Sequence, residues 1–252
     1  IDPQGLARTA SEKALAGRRP SEVEPGEYCV VLEEPAVASL VQYLGWMGLG
    51  ALAYQEGRSF MSNKIGERIT GEKVTIVDDP YHPKTVGLPF DFEGVPKQRV
   101  TLIEGGVARA VVYDSYTAGK EGRSSTGHGL PPPNPQGPFP LNLVLEEGKA
   151  KREELIESTK RGILVTRFWY TRMVNPDTTL ITGMTRDGTF LIEDGAVKKG
   201  IKNLRFTQNI LEALSHVELI SKESKLIFEG LVSSVVPALK IAKFNFTGKT
   251  EF

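Results

Sequence analysis

From Ala36 to Gln55 the chain reads AVASLVQYLGWMGLGALAYQ, a helix-length stretch without a charge, bracketed by Glu33-Glu34 before and by Glu56 and Arg58 after. Such a run is a membrane span, a buried core helix, or a helix that carries a buried site. Roughly twenty mostly apolar residues cross a bilayer, so length does not decide. Composition does: four alanines, three glycines, Ser39 and Gln42 dilute the run, and its flanks are acidic rather than rich in Lys and Arg. Gly45, Gly48 and Gly50 suit close backbone packing or a helix end. No second such segment exists, and mean hydropathy is slightly polar. We read a buried core helix starting near Pro35, in a chain with no membrane partner.

Working outward, 252 residues suffice for one large domain or two small ones. Lys plus Arg and Asp plus Glu stand at 31 each, a formal net charge of zero that argues against a nucleic-acid partner. The mixed-sign run from Glu146 to Arg161 has the spacing of a solvated helix face. Cys29 is the one cysteine, so no internal disulfide forms. No signal peptide is visible, which makes a cytoplasmic location the default. Asp2 and Pro3 suit the cap and first turn of a helix reaching Arg18. A chain starting at Ile1 rather than Met reads as a portion of a longer protein.

Beyond Gly71 the pattern turns to strands. Val74–Val77 is apolar and β-branched. Gln98–Ile103 and Val107–Tyr113 flank Glu104-Gly105-Gly106, and Phe190–Glu193 and Ala196–Lys199 flank Asp194-Gly195, both hairpin signals. Tyr28–Leu32, Gly162–Val174, Thr179–Thr185, Val217–Ile220, Lys225–Phe228 and Ala238–Phe246 also read as strands, with helices at Lys151–Lys160 and Gln208–Leu214. Strands clustered without βαβ alternation imply an α+β fold: a largely antiparallel sheet, a buried N-terminal helix and a few peripheral helices. Gly119–Pro140 is a Gly, Ser and Pro-rich surface loop.

The usual catalytic patterns are missing. His82, His128 and His216 are far apart in sequence, and no histidine precedes His82, so the uncharged helix offers no imidazole to zinc. There is no Gly-x-Ser-x-Gly elbow. Gly122-Arg-Ser-Ser-Thr-Gly127 has phosphate-loop spacing, but His128-Gly129 stands where Lys-Ser/Thr is required. Asp91 and Glu93 alternate, placing both carboxylates on one face of an extended segment. They form either an acid/base pair or, beside Gly94 and Pro96, a turn with solvated acids, which is the reading preferred.

Several segments together resemble the TldD/PmbA family: Gly57-Arg58-Ser59-Phe60, Lys64-Ile-Gly-Glu67, Val77-Asp-Asp79, Phe90-Asp91-Phe92-Glu93-Gly94-Val95-Pro96, Leu102-Ile-Glu-Gly-Gly106, Ser125-Thr126-Gly127 and Pro237-Ala-Leu-Lys-Ile241. The resemblance implies that 23–252 is the family's C-terminal domain and that 1–22 is a helical segment and linker at the edge of an N-terminal one. TldD-type members carry His-Glu-x-x-x-His on the helix before the Gly-x-Ser segment and a cysteine near the C-terminus, together holding zinc. Counting back from Gly57, those positions fall on Gln42, Tyr43 and Met47, and Gly230–Val236 holds no cysteine. The chain is therefore similar to the TldE/PmbA type, expected to lack metal, cofactor and catalytic residues of its own. The expected partners are a TldD-type subunit or a second copy, with unfolded peptide as substrate. Arg58, Ser59, Asp91, Glu93, Ser125, Thr126, Gly127 and His128 are the candidate peptide-binding or loop residues. His128 stands where the family usually has asparagine. The alternative is an autonomous peptidase with a non-zinc or partner-completed site.

Overall fold

In the computed structural model, which describes residues 2–250, the uncharged stretch folds as two helices rather than one. Helix α2 spans Glu34–Gly48 and α3 spans Ala51–Gln55. The break has a tertiary cause. Gly50 lies so close to the Pro-rich loop that a Cβ there would meet the Pro138 carbonyl oxygen at 2.2 Å. Its backbone is extended instead, and Gly50 bridges Val112. No described helix is long and apolar enough to cross a membrane.

Helix α2 is buried on nearly every side, with Ala36, Val37, Leu40, Val41, Leu44 and Met47 almost fully enclosed. It packs on strands β1 (Gly26–Leu32), β6 (Arg161–Asn175), β10 (Val217–Glu229) and β11 (Val232–Lys249). The other strands are β2 (Ile76–Asp78), β3 (Val100–Glu104), β4 (Val107–Ala108), β5 (Asn142–Leu145), β7 (Leu180–Glu193), β8 (Ala196–Gly200) and β9 (Leu204–Asn209). Helices α1 (Pro3–Ala16), α4 (Ser115–Lys120), α5 (Arg152–Glu157) and α6 (Ile210–Ser215) lie around them.

The described strands form one mixed sheet in the order β1-β6-β7-β9-β11-β5-β2-β3-β4. Because β11 also pairs with β1, strands β1, β6, β7, β9 and β11 close on themselves and bury their edges. Phe168, Phe206 and Phe244 pack inside this ring with centroids 4.5–5.6 Å apart. Pairing is antiparallel except for β1–β6 and β5–β11. The sheet confirms the α+β expectation.

Individual elements differ from the expectations. Val217–Ile220 and Lys225–Phe228 are one strand, β10, interrupted by an irregularity between Ile220 and Ser224. The strand expected to reach Tyr113 ends at Ala108, and helix α6 starts at Ile210 because Leu204–Asn209 is a strand.

Candidate functional site

Helix α2 brings the family-matched positions to its C-terminal half, where each side chain has its own surroundings. Gln42 is 7% exposed, and its Nε2 donates to Ser234 Oγ of β11 at 3.2 Å. The Tyr43 hydroxyl donates to the Thr171 carbonyl of β6 at 2.6 Å. Burial pushes this phenol's pKa up, Arg172 pulls it down and Glu229 adds to the rise. Met47 lies in the hydrophobic core.

The donor set is therefore a hydrogen-bonded amide, an occupied phenol, a core thioether and a hydroxyl. Zinc takes thiolate, imidazole and carboxylate in a converging tetrahedron, so these residues do not fit it. Among the described residues no three His, Cys, Asp or Glu side chains group as metal ligands.

Ser59, next in sequence after the helices, clasps the end of α2. Its Oγ donates to the Gly48 carbonyl at 2.6 Å and accepts from Met61 N at 2.9 Å, which satisfies one of the helix's terminal carbonyls. The clasp needs glycine at 48, because a Cβ there would lie 2.4 Å from Ser59 Oγ. Arg58 is exposed and pairs with Glu56.

The second candidate group gathers around Asp78 of β2 and Asp91. Asp91 overturns the expectation of a solvated acid, being only 4% exposed. Its Oδ1 accepts from Glu93 N and Val95 N at 2.9 Å each, and its Oδ2 from Gly129 N at 2.7 Å. One carboxylate thus sets a turn and ties it to the 119–140 loop. Glu93 turns away and accepts from Ser115 N at 2.8 Å. Ser125 and Thr126 both bond the backbone of Tyr113, and Ser125 Oγ also accepts from Gly127 N. His128 is 1% exposed, with Nδ1 2.9 Å from Thr126 Oγ1 and Nε2 3.0 Å from Asp78 Oδ1. The other Asp78 oxygen accepts from Asn142 N at 2.8 Å.

Two side chains here carried no signal in the sequence. Lys97 is 3% exposed and its Nζ has no hydrogen-bond partner among the described residues, and Asn142 Nδ2 is likewise unpaired. Burial pushes the Lys97 ammonium's pKa down, while the charges of Asp78 and Asp91 push it back up. A lysine between Pro96 and Gln98 reads as a solvated turn residue, and only the tertiary fold buries it.

A recess of about 500 Å³ opens beside this loop, lined in part by Phe92, Glu93, Asp114, Tyr116, Leu130 and Pro132. A larger one, about 590 Å³, lies between α1 and β7, away from both candidate groups.

The chain is 28% identical over 231 residues to a metalloprotease of Methanothermobacter thermautotrophicus, covering 89% of this chain and 49% of that protein. It is 27% identical over 224 residues to a metalloprotease TldD homologue of Buchnera aphidicola, covering 88% and 44%. The crystal structure of TldE from Thermococcus kodakarensis superposes with a TM-score of 0.89 at 28% identity, over 98% of this chain and 56% of that one. The chain thus spans about half the length of the curated relatives it matches. Residues 25–248 match the PmbA/TldA metallopeptidase C-terminal domain, and the chain belongs to that family.

Proposed function

We propose that this chain acts as a non-catalytic, TldE/PmbA-like subunit of a TldD-type peptide-processing assembly and helps enclose the peptide without holding zinc itself. The observation that carries this reading is the Gln42–Ser234 hydrogen bond. It joins the helix to the C-terminal strand with an amide, where the family resemblance calls for an imidazole, and a hydroxyl from the 230–236 segment, which holds no cysteine. Neither group holds zinc strongly, and without the ion no Lewis acid is available to activate water. Unfolded peptide would be held through its backbone along open strand edges, a mode with little sequence demand. Strand β8, paired only with β7 among the described strands, offers such an edge.

An autonomous peptidase built on Asp91, Glu93 and the Ser124–His128 loop has less support. The Asp91 oxygens are occupied by three backbone N–H groups, and His128 is sealed against Asp78. The test mixes the purified chain with a TldD-type subunit. Co-elution on size exclusion, raised peptidase turnover and no stoichiometric zinc in this chain by elemental analysis are expected. Chelator-sensitive peptide hydrolysis by this chain alone would refute the reading.

A further inference from the structure

The outer wall of the closed ring concentrates one sign of charge. Residues opposite each other on paired strands point to the same side of a sheet, and successive residues point to opposite sides. Phe168 and Phe206 pack inside the ring, so Arg167, Trp169 and Arg205 beside them face outward. Arg167 lies opposite Arg186, and Trp169, Met184 and Arg205 form the next row across β6, β7 and β9. The register then shifts between Trp169 and Arg172, where Tyr170 takes a φ of 54°. That shift brings Arg172 opposite Thr182, on the same outer side as Met184.

Four arginines thus share one face of a chain whose charges balance at 31 to 31. Asp187 pairs with Arg167 and lies 3.8 Å from Arg186. Arg172 and Arg205 have no ion-pair partner among the described residues. Like charges set opposite each other, as at Arg167 and Arg186, work against a sheet. A surface that serves folding alone intersperses both signs.

The guanidinium groups are also held in place. Those of Arg167 and Arg186 lie 4.7 and 5.3 Å from the centroid of the Trp169 ring, and that of Arg172 lies 4.6 Å from the centroid of Tyr170. Stacking keeps the planar forks oriented, and such forks grip a carboxylate through two parallel hydrogen bonds.

The spacing says what fits. Met184 and Thr182 of β7 form a floor, with Arg167 and Arg172 flanking it from β6 and Arg205 from β9. The three rows that carry arginine, at Arg186, Met184 and Thr182, follow one another every two residues, about 6.8 Å along the strand. An extended peptide turns every second side chain to one face at the same interval, so acids at alternate positions meet one row each. Single-stranded nucleic acid fits less well, because it needs open aromatic faces on which bases stack. Here arginines already stack on both rings.

We propose that the outer wall of β6, β7 and β9 docks an extended acidic segment of another protein, one with carboxylates at alternate positions, gripped by Arg167, Arg172, Arg186 and Arg205. This goes beyond the proposed function and does not depend on it, since the wall is the same whether or not the chain holds zinc.

The test is fluorescence anisotropy of the full chain with a labelled peptide of alternating glutamate and serine. A peptide of the same composition with its glutamates in one block, and an oligothymidylate, serve as comparisons. Saturable binding of the alternating peptide with a Kd of about 10–100 μM at low salt is expected, weakening as salt rises. Arg172→Gln and Arg205→Gln should each weaken it about three- to tenfold, and Arg186→Lys, which keeps the charge and loses the fork, should weaken it too. Asp187→Asn removes the competing carboxylate and should tighten it. Arg205 is exposed and without an ion pair, so its variant should keep the thermal midpoint and guards against a folding defect in the others. No saturable binding up to about 1 mM, an affinity indifferent to the arginine variants, equal affinity for the block peptide, or tighter binding to oligothymidylate would each overturn the proposal.

Discussion

Replacing Lys97 with methionine should stabilise this protein, although it deletes a charge flanked by two carboxylates. Lys97 is 3% exposed and its ammonium has no hydrogen-bond partner among the described residues. Effective desolvation costs several kcal/mol for a buried ion. Asp78 and Asp91 offset part of that, but neither comes within ion-pair distance, and both are hydrogen-bonded without the lysine. At an effective dielectric of about 20, each attraction is worth less than about 4 kcal/mol and falls with distance. The lowered pKa says which side wins: desolvation exceeds the attraction. Methionine fills a similar volume without an ion, so Lys97→Met should gain about 1–2 kcal/mol near neutral pH, or a rise of roughly 2–8 °C in Tm for a domain of this size. The sign of the pH dependence follows from linkage. Between the lowered folded pKa and the usual lysine value of 10.5, the unfolded chain binds more protons than the folded one, so wild-type stability rises with pH. The penalty is full below the folded pKa and fades toward 10.5, so the advantage of Lys97→Met should shrink over that window. Urea unfolding midpoints of both proteins at a series of pH values measure this. A variant less stable than wild type, or an advantage independent of pH, would show that the ammonium is held by attraction and that the desolvation argument fails.

Gly48→Ala puts a methyl 2.4 Å from Ser59 Oγ and should cost about 1–3 kcal/mol in urea unfolding, partly recovered by adding Ser59→Gly. Asp91→Asn keeps one acceptor oxygen but turns an amide N–H toward a backbone N–H, so a loss of about 2–4 kcal/mol with the fold retained is expected; a neutral result would remove Asp91 as the anchor of the loop. Gln42→His combined with Ser234→Cys should create partial metal binding, because the native contact of 3.2 Å is close to the roughly 3.5 Å between two ligands of one tetrahedral zinc. Cobalt absorbance in the double variant, with none in either single variant, is the expected readout.

What was legible in the sequence was whatever local chemistry determines. The uncharged stretch announced a buried helix, and Gly105-Gly106 and Asp194-Gly195 announced hairpins, because apolar composition and turn residues act within a few positions. Gly48 and Gly50 marked a close approach or a helix end, but the neighbour that causes the break at Gly50, the carbonyl of Pro138, is far away in sequence and was not legible. Strand β5 was missed because Asn-Leu-Val-Leu is short, fully buried and follows a Pro-rich loop, so it shows no alternation. Strand β9 does alternate, but its end was absorbed into the helix that follows.

The two candidate groups divide along the same line. At the helix positions Gln42, Tyr43 and Met47 the sequence names the groups on offer, an amide, a phenol and a thioether, while the partners of the first two, Ser234 and Thr171, come only from the fold. The loop was not legible, because the role of Asp91 depends on which backbone N–H groups the chain delivers to it, and residue type does not specify that. An acid beside Glu93-Gly94 satisfies the pattern of a solvated turn and that of a buried anchor equally well. What separates them is the arrival of Gly129 N, from the far side of α4, at Asp91 Oδ2. The same loop closure buries Lys97 and brings His128 to Asp78. The group best read as structural is thus the one most dependent on tertiary folding, so its variants should register first in stability, while changes at Gln42 and Ser234 should register in metal content.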